Sequence, residues 1–166
     1  GVFEGWTSYN LASNGSPASV WAGEITTGDQ NEAPADYGNN LGYNPWAAVN
    51  ADPQVIMFQL GTNDIRMDGS AGAISGLTAD IAELIDFLVE NTSAHIFMKV
   101  PPPICYANPD PNSFTNCTNA DDAAARSAAL RSIYLDYHNV SNRITVVDMQ
   151  KHLYGFRADS VASVVD

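Results

Sequence analysis

The sequence predicts an α/β domain built on a parallel sheet, and three observations carry that expectation. Short apolar-rich segments recur at 53–61, 95–100 and 143–149, with VIMF of the first the clearest run. Segments with apolar residues at helical spacing lie between them. The runs lack the polar alternation of a half-solvated strand, as parallel strands covered on both faces do. Strands that alternate with helices in this way join through right-handed crossovers into one sheet.

The elements follow in order. Residues 7–12 (TSYNLA) suit a short strand. Asn14-Gly15-Ser16-Pro17 is a turn signal, and PASVWAGEI after it has a short helical pattern. Residues 26–45 are polar and rich in Gly, Asn, Asp and Pro, as in a long surface loop, with a helical turn expected at 45–50 (PWAAVN). PQVIMFQLG (53–61) is the clearest strand, and GTNDIRMDGSAG after it reads as a loop. A helix is expected from Ala73 to Glu90, where Ile74, Leu77, Ile81, Leu84, Ile85, Leu88 and Val89 make one apolar stripe.

HIFMKV (95–100) is a second strand, stopped by Pro101-Pro102-Pro103, which cannot continue a sheet ladder. A helix over residues 120–138 has Asn119 or Asp121 as its cap and acids in its first turn. Ala124, Ala128, Leu130, Ile133, Leu135 and Tyr137 give it apolar surface. RITVVDM (143–149) is a third strand, and a short tail runs to Asp166. No internal repeat or low-complexity tract interrupts the 166 residues, and one domain with a sizeable core is expected.

Composition narrows the function classes. Hydrophobic residues make up 45% of the chain, which argues against disorder. The formal charge is −12, from 19 acids against 7 bases. Such a surface repels phosphate backbones and anionic lipids, so neither nucleic acid nor a membrane is an expected partner. Neutral substrates or polymers fit better, although the charge by itself serves solubility. No apolar run approaches the ~20 residues that span a bilayer. No signal peptide is visible from Gly1 onward, which leaves room for a processed or trimmed start.

Cys105 and Cys117 flank a short Pro/Asn-rich segment. A disulfide between them would contribute about 3 kcal/mol at most; two free thiols are the alternative. Asn91, Asn116 and Asn139 begin N-x-S/T sequons. Together with the cysteines they lean toward a secreted, extracellular protein. No Cys/His cluster points to zinc, the acids are too scattered for a calcium loop, and no cofactor is expected.

In an open α/β sheet, ligands sit beyond the carboxyl ends of the strands. Gly61-Thr62-Asn63-Asp64 follows the clearest strand, and Ser13-Asn14-Gly15-Ser16 follows residues 7–12. Acyl transfer needs donors aimed at a developing oxyanion, and a backbone N–H and an amide side chain both serve. Gly15 permits close backbone approach, and Asn63 offers an NH2 at the end of a rigid strand. Each taken alone is an ordinary turn residue.

Strand-Gln59-Leu60-Gly61-Thr62-Asn63-Asp64 resembles the GxND block of the SGNH (GDSL) ester hydrolases. Asn10-Leu-Ala-Ser-Asn-Gly15 resembles that family's preceding N-x-x-x-x-G turn, and Lys99-Val-Pro-Pro-Pro resembles its loop after the fourth strand. The resemblance implies a flavodoxin-like three-layer sandwich and a serine esterase with an acyl-enzyme intermediate. It implies that Gly15 and Asn63 form the oxyanion hole, and it sets Asp166 where the D-x-x-H block of aspartate and histidine should begin. Gly15-Ser-Pro-Ala-Ser-Val-Trp21 is similar to a G-T-P-x-x-x-W turn of related carbohydrate acetylesterases. A small-molecule or carbohydrate ester, such as an O-acetyl ester, is the implied substrate.

The sequence departs from the family at two places. No GDS-type turn carries a serine, since Gly28-Asp29-Gln30 lacks one, and the chain stops before the histidine. The nucleophile is expected upstream of Gly1 and the base just past Asp166. The family's first strand, which lies between its second and third, is then absent. Either it belongs to a longer chain or residues 7–12 form no strand. Among the residues present, His152 lies past a strand end, while His95 and His138 are poorly placed for a base. Ser13 and Ser16 read as turn residues, and Asp64 reads as a loop-stabilising carboxylate. The rival expectation is a non-catalytic extracellular module that binds glycan or serves as a structural subunit.

Overall fold

The computed structural model describes residues 7–12, 15–34, 43–67, 69–102 and 120–154. Within them Val55–Phe58 (β1), His95–Lys99 (β2) and Ile144–Val147 (β3) form one all-parallel sheet in the order β1-β2-β3. The register sets Val55 against His95 and Ile96 against Ile144. The helices are Ala18–Thr27 (α1), Trp46–Asn50 (α2), Thr62–Met67 (α3), Ala71–Asn91 (α4), Ala120–Leu135 (α5) and Met149–Tyr154 (α6). The expected α/β fold with a parallel sheet is therefore present.

The longest helix shows why the chain folds so. The Ser70 hydroxyl accepts a hydrogen bond from the Ala73 N–H and caps the start of α4. Leu77, Ile81, Leu84, Ile85 and Leu88 then recur on one face, and all are buried. They share a single core with Trp21 of α1, Phe58 of β1, Ile96 and Met98 of β2, and Leu130 and Tyr134 of α5. Fully burying a side chain of this size stabilises the fold by about 1.5–3 kcal/mol, so this stripe dominates the packing.

One face of the sheet remains open among the described residues. Phe58, Ile96, Met98 and Ile144 point into the core, while Val55 is 39% exposed and Met57 67% exposed. The topology gives the reason. The crossovers from β1 through α4 to β2, and from β2 through α5 to β3, step in one direction across the sheet. Right-handed crossovers of that kind stack their helices on a single face. Only a reversal of strand order would send a helix to the other face, and these strands contain none. The apolar runs were thus expected to be covered on both faces and are covered here on one.

Four further expectations change. Residues 7–12 form no strand. The segment after β1 is not a loop but opens directly into α3, because Gly61 adopts φ +96° and its carbonyl accepts the first helical hydrogen bond from Ile65. The buried side of α5 is Ser127, Leu130, Ile133 and Tyr134, and Ala128 is exposed. The tail begins with α6, whose amide at Lys151 is capped by the Asp148 carboxylate. Cys105, Cys117, Asn116 and Asp166 lie outside the described residues. Asn139 sits in an exposed turn with φ +68°, and Asn91 ends α4.

Candidate active site

Gly15 and Asn63 come together across 48 positions of sequence. Gly15 adopts φ +79°, a conformation that side chains other than glycine disfavour, so the chain turns sharply there into α1. Asn63 lies in the first turn of α3, beyond the carboxyl end of β1. Its side-chain NH2 donates to the carbonyl of Ser16, 3.2 Å away, next to Gly15. An amide carries two N–H donors, so this bond orients the group and leaves a second N–H for another acceptor. Both residues line one cavity of about 480 Å³, together with Asp64, Arg66, Leu77 and Asp80.

The aspartate of the motif is structural. Both carboxylate oxygens of Asp64 accept from the Ala18 N–H, at 2.9 and 3.0 Å. That amide opens α1 and is buried with Ala18. Pro17 precedes it and gives no side-chain cap, so the carboxylate of α3 supplies one from a distance. The contact joins α3, which carries Asn63, to the start of α1, just past Gly15.

The electrostatics of the cavity are mixed. Burial holds the Asp80 carboxyl above its ordinary range, and the negative charges of Asp64 and Glu83 push it the same way. The Arg66 Nε is buried with no hydrogen-bond partner among the described residues. Two carboxylates against one guanidinium make this a poor site for a highly anionic ligand.

Gly61 explains how the turn is held. A Cβ there would lie 2.8 Å from Leu130 and 3.1 Å from Leu77. Only glycine meets both demands, the positive φ and the close approach of two core leucines. On the other side of β1 lies an open groove of about 920 Å³, walled by residues 7–12 and by 53–60. The His95 N–H donates to the Gln54 carbonyl. Alternate residues of a parallel strand turn their backbone groups the opposite way, so those of Val55 and Met57 face the groove. Among the described residues no strand pairs with β1 on that side.

The remaining candidates separate. Asp166 and Ser13 lie outside the described residues. Ser16 is buried. His95 bonds Thr145 across the open face of the sheet, 2.8 Å away and far from Asn63 in the fold. His138 is exposed past the end of α5. His152 falls on α6. Trp21, on α1, packs edge-on against Tyr43. Sequence reasoning missed Arg126, Leu130 and Tyr134 as supports of the motif. Only their spacing of four hinted that they share a helix face.

No protein-family model matches this chain, and no curated protein or solved structure matches it.

Proposed function

We propose that this chain carries the oxyanion half of a serine ester hydrolase of the SGNH type, acting on O-acetyl or other acyl esters of carbohydrates. The observation that carries the reading is the convergence of Gly15 and Asn63 on one cavity beyond β1, with an amide N–H of Asn63 to spare. In acyl transfer a serine attacks the ester carbonyl and a histidine takes its proton. The tetrahedral oxyanion is held by the Gly15 N–H and the Asn63 amide. Collapse expels the alcohol, and water then releases the acid from the acyl-enzyme. The serine is sought ahead of Gly1, the histidine past Asp166, and Asp166 is the residue proposed to orient that histidine. The groove beside β1 supports the first of these assignments, because a strand there would end beside Gly15 and Asn63. A secreted location and a neutral carbohydrate ester agree with the acidic surface.

The test is hydrolysis of p-nitrophenyl acetate by the full-length protein, with a fluorophosphonate label to find the serine. Asn63→Ala should lower kcat about 10²- to 10³-fold, the usual loss for one oxyanion donor. Turnover at full rate in that variant would remove the site proposed here. One observation favours a second reading, a glycan-binding module without catalysis: among the described residues no histidine lines the cavity. Under that reading the label finds no serine, and an acetylated oligosaccharide binds without being cleaved.

A further inference from the structure

The segment from Leu60 to Arg66 is gripped by one face of α5. Tyr134 is 0% exposed, and its hydroxyl accepts from the Leu60 N–H at 2.7 Å and donates to the Leu60 carbonyl at 2.9 Å. Leu60 has the same parity as Gln54, so its backbone groups turn toward the β2 side. The β1–β2 pairing has ended at Phe58–Met98, and the tyrosine hydroxyl takes over both bonds that a neighbouring strand would make. Burial and the Asp64 charge raise the Tyr134 pKa, although the bond to Leu60 opposes the shift, so the hydroxyl keeps its proton and can donate.

One turn earlier on α5, Leu130 presses on Gly61. One turn earlier again, Arg126 Nη1 donates to the carbonyls of Ile65 and Arg66, at 2.9 and 3.0 Å. These carbonyls belong to the last turn of α3, where a cation suits both the dipole and the unpaired acceptors. Asp122 holds the guanidinium from the other side, 2.9 Å from its Nε. Three residues at spacing four therefore fix the strand end, the glycine turn and the helix end. Asn63 lies between the first grip and the last.

We infer that Tyr134 is a positioning residue for Asn63, acting with Leu130 and Arg126 through the backbone of Leu60–Arg66. This rests on the hydrolase reading for its catalytic meaning but not for the clamp itself. The substitution Tyr134→Phe keeps the ring that packs on Phe58 and removes both hydrogen bonds.

Amide exchange reads the clamp directly. In Tyr134→Phe the Leu60 amide should exchange at least about ten-fold faster, while the Met98 amide in the neighbouring strand stays within about two-fold. A Leu60 amide as slow as before overturns the clamp. Turnover of p-nitrophenyl acetate reads its meaning. Misplacing a reacting group by about 1 Å costs up to about 10²-fold, so kcat should fall about ten-fold with KM little changed. In an Asn63→Ala background the same substitution should cost less than about two-fold, because residues acting as a unit are not additive. An equal loss in both backgrounds makes Tyr134 merely structural and overturns the positioning role. No turnover by the unaltered protein, or full turnover by Asn63→Ala, overturns the hydrolase reading and the catalytic meaning with it. The Leu60 amide still decides the clamp in that case.

Discussion

Asp80 is the cavity residue whose protonation the surroundings disturb. Its carboxyl is raised above 3.8 by burial first, then by the charges of Asp64 and Glu83. A raised acid binds its proton more tightly in the folded state. Folding is therefore favoured below the unfolded value, and the advantage is lost as the pH climbs through the folded one. At neutral pH ionised Asp80 is a cost. Asp80→Asn should raise the melting temperature at pH 7 by at most about 2 °C, since half-solvated charges are well screened. The gain should vanish at pH 3, where both forms are neutral, and thermal melts at the two pH values check it. At this scale the turn at Gly15 and the place of Asn63 past the end of β1 were legible, because local sequence dictates both. Tyr134 and Arg126 were not. Their partners lie 74 and about 60 residues away in sequence, and no local pattern announces a contact of that range.

The elements show where local pattern and tertiary context diverge. β1, β2, β3, α1 and α4 were readable because their apolar patterns match the period of the element. α3 was not, since TNDIRM holds turn-forming residues and is only 6 residues long. It is helical because other elements hold its ends, α5 through Arg126 and α1 through Asp64. Asp64→Ala would leave the buried Ala18 N–H without its acceptor. Loss of a charged cap of this kind costs about 2 kcal/mol, and the melting temperature should drop by about 4–8 °C. Exchange at Ala18 should quicken in the same variant, whereas Leu84 in the middle of α4 should not change. A melt unaltered by Asp64→Ala would show that the α1–α3 junction is held by packing alone.

For the whole molecule, the parallel sheet was legible and its one-sided covering was not. VIMF and HIFMK read as strands wrapped on both sides, but a sequence pattern records what a strand prefers and not which neighbour supplies it. The described helices follow a strand order without reversal, and so they leave Val55 and Met57 in the open. Beside that apolar face, the backbone edge of β1, unpaired among the described residues, is a template for pairing with another chain. Met57→Lys places a charge on that face without touching the core. It should reduce self-association as salt rises, measured by light scattering, with a melting temperature within about 2 °C of the original.

The edge of β1 that is unpaired among the described residues also bears on how the 166-residue chain behaves as a colloid. With a charge of −12 at neutral pH, molecules repel one another before their edges can meet. Near pH 4.3, where the chain carries no net charge, that barrier is gone while the edge is unchanged. Salt does the same at pH 7 by shortening the reach of the repulsion to about 8 Å at physiological strength. Solubility should therefore fall in mildly acidic or saline buffer through stacking of strands, well before the core melts. An occupant of the groove would act as a solubilising agent.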